Sequence, residues 1–219
     1  MNRRPRPISH ARPATAVRAT SRPGRRTRSL RRDAGVVLVE FALVVNMLLG
    51  MGLGIYEFGF AWRSSAAVTS GARSAARTGS SLATDDSADY QSLSSIRSDL
   101  EASGLLDNLL LVVVYKSTTA DGAVPASCTT NASTSALCDI YTGSQVRSML
   151  DSDFDTTTGC LTTGMIVANY CPNVRNSIMA TADYLGVWVK VRHDYQTGLF
   201  GNGIDIKRSA VMRIEPRIA

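Results

Sequence analysis

From position 36 to 56 the chain is apolar almost without interruption, and its only strongly polar members are Glu40 and Asn46. At about 1.5 Å of rise per residue, a helix of this length matches a hydrocarbon core of roughly 30 Å. The pattern then changes character. Phe58, Trp62, Ser65, Val68, Ala72, Ala75 and Gly79 recur at steps of three and four, which predicts that the helix continues to about Ser81 and lays a stripe of small and apolar side chains on a sheet. Arg63, Arg73 and Arg77 fall toward solvent on that wheel. Gly50, Gly52 and Gly54 each lower helix propensity by about 1 kcal/mol relative to alanine. They fit either close packing of neighbouring helices or a flexible point.

Beyond position 82 the periods are shorter. Leu93, Ile96 and Leu100 predict an amphipathic helix over residues 90–103, ended by Gly104. Residues 109–115 are aliphatic and rich in valine, the composition of a buried strand. Residues 117–139 are a long loop of Ser, Thr, Ala and Asn, and short helices are expected from Ser144 through Leu150 and from Asn173 to about Ala182. Val187, Val189 and Val191 alternate with Trp188, Lys190 and Arg192, and a second alternating run covers residues 204–214. Gly198, Gly201, Asn202 and Gly203 join the two as an antiparallel pair, with 109–115 as the third strand. The expected fold class is α+β, a long N-terminal transmembrane helix packed on a small antiparallel sheet. Residues 1–30 carry Pro5, Pro7, Pro13 and Pro23 without apolar periodicity and are expected to be disordered.

Charge sharpens this reading. Residues 1–35 hold eleven Arg against Asp33 alone, a net +10, whereas the remainder holds 13 basic and 17 acidic residues, a net −4. An arginine-rich arm suits nucleic acid. Here an apolar span begins within four residues of Arg32, so the positive-inside tendency accounts for the same arginines and holds the N-terminus in the cytoplasm. Nucleic acid is therefore not an expected partner. The pairs Arg25-Arg26 and Arg31-Arg32 lack the hydrophobic residues of a twin-arginine signal, and the apolar run exceeds a secretory h-region of roughly 7 to 15 residues. The span is retained, and the chain beyond Tyr56 lies outside the cytoplasmic membrane.

Four cysteines in an exported segment point to two disulfides. Of three possible pairings, Cys128 with Cys138 and Cys160 with Cys171 are favoured, because each closes a short turn-rich loop. A zinc site is disfavoured: CxxC spacing is missing, and the histidines are His10 in the basic leader and His193 in a strand, where it reads as an ordinary polar residue. Asp151-x-Asp153-x-Asp155 resembles the start of a calcium loop, yet Thr156 and Thr162 stand where glycine and glutamate are needed, which favours a solvated turn. With one histidine beyond the span there is no triad, and there is no phosphate loop or HExxH. No metal, cofactor or enzymatic activity is expected.

Gly35, followed by four aliphatic residues, Glu40 and Phe41 behind a basic segment, resembles a type IV prepilin cleavage site. Tyr56-Glu57-Phe58-Gly59, Ala61-Trp62, Ala66-Ala67 and the run from Gly71 to Arg77 narrow the resemblance to the TadE-like pseudopilins of tight-adherence (Flp) pilus systems. The likeness is dense over residues 35–79, looser over the closing strand that ends in Met212-Arg213-Ile214-Glu215, and absent from about 82 to 185. It implies a pilin architecture and cleavage between Gly35 and Val36 by a prepilin peptidase, which removes residues 1–35. Segment 36–56 would then be the span, 57–81 its extracytoplasmic continuation and 82–219 a globular domain. It also implies other pilus subunits and the inner-membrane assembly platform as partners. Glu40 would meet the new α-amine of Val36, its own or a neighbour's, whereas snorkelling toward headgroups is the plainer account. Glu57 reads only as a marker of the outer membrane boundary. The competing functional reading is a signal-anchored extracytoplasmic binding or sensor domain that is never cut.

Overall fold

A computed structural model describes the backbone of residues 29–120, 122–130 and 136–216, with side chains from residue 35 onward; most of the leader expected at 1–35 lies outside the described residues. The chain divides into two units, Met1–Leu49 and Gly50–Ala219. Helix α1 (Ser29–Leu82) contributes to both. In the first unit most of its described side chains are exposed, among them Val36, Leu38, Phe41, Leu43, Met47 and Leu48. The apolar part of α1 is long and apolar enough to cross a membrane. Asn46 returns one bond to its own helix, its Nδ2 donating to the Ala42 carbonyl at 2.9 Å, which satisfies part of its amide in an apolar setting.

The second unit is the α+β body. After the remainder of α1 come α2 (Ala88–Ala102), β1 (Leu109–Ser117), β2 (Cys138–Thr142), α3 (Gly143–Ser148), β3 (Val167–Ala168), β4 (Tyr184–His193) and β5 (Ile204–Arg213). The strands form one antiparallel sheet in the order β3-β2-β1-β4-β5. One face carries Val112, Val114, Tyr141, Leu185, Val187, Val189 and Val191, on which Val68, Ala72, Ala75 and Ala76 of α1 and Leu93, Ile96 and Leu100 of α2 close the main core. The other face carries Leu111, Val113, Tyr115, Ile140, Val167 and Trp188 around Cys128 and Cys138. Burial on both faces is why β1 reads as a continuous aliphatic run rather than an alternating one. Gly186 makes the second face possible, since a Cβ there would come within 2.2 Å of the Tyr115 ring.

Both disulfides are the local ones, Cys128–Cys138 and Cys160–Cys171. α2 presents the expected Leu93, Ile96 and Leu100 to the core.

Several expectations need correction. The sheet has five strands rather than three: β2 holds only five residues and β3 two, too short for a periodic signal, and their places are set by pairing across the sheet, β2 on β1 (Val113 opposite Ile140) and β3 on β2 (Ile140 opposite Val167). α3 is capped by Thr142, not Ser144, through a reciprocal pair of bonds with Gln145. No helix forms over 173–182. Pro172 starts a single 3-10 turn, Pro172–Val174, and Asn176 then closes a side-chain turn by donating to the Thr181 carbonyl at 2.8 Å, while its own N–H meets Asp183. Local side-chain bonds of this kind compete directly with helix. Finally, the α1 stripe holds from Val68 onward, but Phe58 and Trp62 are exposed (59% and 80%) while Glu57 and Ser64 are buried. At that end α1 faces backbone and polar groups of the β4–β5 connection rather than an apolar sheet. His193 lies in a strand as expected, at the end of β4, and is buried there with Nδ1 3.1 Å from Ser64 Oγ.

Candidate functional site

Three places in the chain carry the chemistry to be explained. The first is the start of the apolar helix. The Gly35–Val36 bond lies on α1, with open space where a Cβ on Gly35 would be. Val36 and Phe41 are exposed at 66% and 64%, and Glu40 is exposed between them. The described structure thus leaves every side chain of this segment free for partners in a membrane or assembly.

The second place reads from sequence as no more than a boundary marker. Glu57 is only 1% exposed. Its carboxylate accepts the backbone N–H groups of Gln196, at 3.1 Å, and Thr197, both in the β4–β5 connection. Burial alone would raise the Glu57 carboxyl; the hydrogen bonds from Thr197 and Gln196, with nearby His193, outweigh it and hold it below the usual carboxylate range. Phe58 beside it is exposed and its ring lies 5.9 Å from that of Phe200, while Gly59 has open space around it.

The third is a charged knot inside the body. Arg175 is buried and forms an ion pair with Asp89 through Nη2, with Asp139 Oδ2 3.9 Å from the same nitrogen. Tyr141 donates its hydroxyl to Asp89 at 2.7 Å, the Tyr170 N–H donates to Asp139 at 2.8 Å, and Arg175 Nε donates to the Tyr170 carbonyl at 3.2 Å. Two carboxylates thus share one cation. Burial first, and then the negative Asp89, push the Asp139 carboxyl well above its usual range, and Asp139 Oδ2 has no hydrogen-bond partner. The same two causes raise the Tyr141 phenol. With every member buried the knot offers no approach to a substrate, and its chemistry is that of a structural clasp between α2, β2 and the loop after Cys171. Asp139 lies within 4.8 Å of the Cys160 and Cys171 sulfurs, but those sulfurs are bonded to each other and are not thiolate ligands.

Sequence reasoning missed this knot. Asp89 falls just before the helix expected over 90–103, Asp139 at the end of an expected loop, and Arg175 within an expected helix. One signal was present: Arg175 is the only basic residue between Arg147 and Lys190, in a stretch holding Asp151, Asp153, Asp155 and Asp183. Two members of the acidic triplet close turns. Asp155 accepts the N–H groups of Thr157 and Thr158 at 2.9 and 2.7 Å, and Asp153 that of Leu150 at 2.9 Å.

A family model described as TadE-like protein matches residues 35–77. No curated protein and no solved structure matches the chain. The matched segment begins at Gly35, includes Glu40, Phe41, Glu57, Phe58 and Gly59, and ends where α1 is already packed on the body. The match covers the apolar part of α1, which is long and apolar enough to cross a membrane, and its packed continuation.

Proposed function

We propose that the chain is a minor pilin-like subunit, a pseudopilin, of a Tad (Flp) pilus, without enzymatic activity. A prepilin peptidase cuts between Gly35 and Val36 and removes the basic leader. Residues 36–56 then span the cytoplasmic membrane once, with the N-terminus cytoplasmic, residues 57–81 continue the helix outside, and 82–219 form the extracytoplasmic domain. Other pilus subunits and the inner-membrane assembly platform are its partners, and the mature subunit is drawn from the membrane into, or beneath, a surface pilus. The observation that carries this reading is the TadE-like match, whose first residue is the glycine at the proposed cut. The exposure of the helix start supports it, because lipid and neighbouring subunits have free access to an unburied apolar helix. The two disulfides suit an oxidising compartment outside the cytoplasm.

Substitution at the cut tests the reading. Gly35→Val puts a β-branched side chain where the peptidase needs close backbone approach, so processing should be lost. On a gel the variant should run entirely as the uncut form beside a cut wild type. Normal cleavage of Gly35→Val would place the processing site elsewhere.

A further inference from the structure

The β4–β5 connection lacks a charge from Tyr195 to Ile204, and at its tip Leu199 and Phe200 are exposed at 64% and 46%. This exposed apolar tip has Phe58 beside the Phe200 ring and is otherwise open to a covering. Its position on α1 identifies the covering. A Cβ on Gly54 would lie 3.5 Å from the Phe200 ring, and the ring of Phe58 lies 5.9 Å from it. Gly54 belongs to the apolar run that ends at Tyr56, so the tip sits at the level of the last turn of the span rather than above it. The helix surface at that level is also bare and apolar, with Leu53, Ile55, Tyr56 and Phe58 exposed. Tyr56, Phe58, Phe60 and Trp62 crowd the same end of the span, the aromatic composition favoured at a membrane boundary.

The tip is held there rather than merely near there. Glu57 accepts two successive N–H groups of the connection, and the Gly203 turn brings the chain back against His193 so closely that a Cβ would meet the His193 carbonyl oxygen at 2.2 Å, with φ at +133°. Only glycine fits that return.

We propose that the β4–β5 tip is a second membrane contact, with Leu199 and Phe200 inserted in the outer leaflet of the cytoplasmic membrane beside the last turn of the span, and that Glu57 is the positioning residue that holds it there. The body is then docked on the bilayer at two points, which fixes its orientation about the helix axis before assembly. This rests on the proposed single span of residues 36–56.

Single cysteines at Leu48, Leu199 and Ser81, carrying a nitroxide, test it in the full-length protein reconstituted in vesicles of phosphatidylethanolamine and phosphatidylglycerol. Ser81 lies at the far end of α1, about 38 Å from Tyr56 at 1.5 Å per residue, and serves as the aqueous reference. The label at 199 should lose access to a water-soluble relaxant and gain access to oxygen, as the label at 48 does, while that at 81 keeps the aqueous response. In Glu57→Gln, which replaces a doubly accepting carboxylate with an amide, the label at 199 should move toward the aqueous response. A label at 199 that matches 81 while 48 is protected overturns the second contact and leaves the span intact. Aqueous responses at both 48 and 199 overturn the span and the contact together. Unchanged protection at 199 in Glu57→Gln overturns the role given to Glu57.

Discussion

Arg175→Met is expected to destabilise the α+β body by about 3–5 kcal/mol, the usual cost of removing one partner from a buried ion pair. Among the described residues Arg175 is the only cation touching Asp89 and Asp139, and it also donates to the Tyr170 carbonyl and lies 5.1 Å from the Tyr170 ring centre. A domain with total stability of about 5–15 kcal/mol has little left after such a loss. Urea unfolding of the full-length protein in detergent is the measurement, and a change below about 1 kcal/mol would contradict the clasp. Asp139→Asn provides the contrast. Because the folded-state carboxyl is raised, the native protein holds more protons than the unfolded chain. Wild-type stability from this group is therefore full below the unfolded carboxyl value of about 3.9 and declines as pH rises toward the raised folded value. The amide imitates the protonated acid and still accepts the Tyr170 N–H. It should flatten that decline, leaving the variant no less stable than wild type at pH 8.

Glu40→Gln should separate assembly from processing. If the carboxylate pairs with the α-amine of Val36, the amide keeps shape and removes the charge, leaving an ammonium in an apolar setting at a cost of about 3–5 kcal/mol. That is enough to depopulate an assembly held by helix contacts. Cleavage should continue, because the proposed requirement of the peptidase is the glycine. The variant should accumulate as processed subunit in the membrane, read by crosslinking to co-expressed pilus subunits alongside the gel shift of cleavage. Normal association of a normally cleaved Glu40→Gln would favour a carboxylate that only snorkels to the headgroups.

What the sequence reveals tracks how far each signal extends along the chain. A 21-residue apolar run, the Leu93-Ile96-Leu100 face and the alternating valines of β4 are repeated patterns, and each became the expected element. The two disulfides are the pairings expected from the short loops each closes. β2 and β3 owe their form to neighbours across the sheet, which no local pattern records. The segment after Pro172 was lost for a related reason: Arg175 turns inward to meet Asp89, 86 positions away in the chain. Glu57 shows the same limit at the candidate site. A single carboxylate after a span looks like an interface residue, and only the return of the chain at Gln196 and Thr197 makes it a buried anchor.

The mature N-terminus of the protein extracted from membranes of cells with an active prepilin peptidase tests the central claim most directly. Mass spectrometry or Edman degradation should find Val36 as the first residue of the dominant species. A terminus upstream of Gly35 in those cells would contradict the account and leave a signal-anchored, unprocessed domain as the better description of the chain.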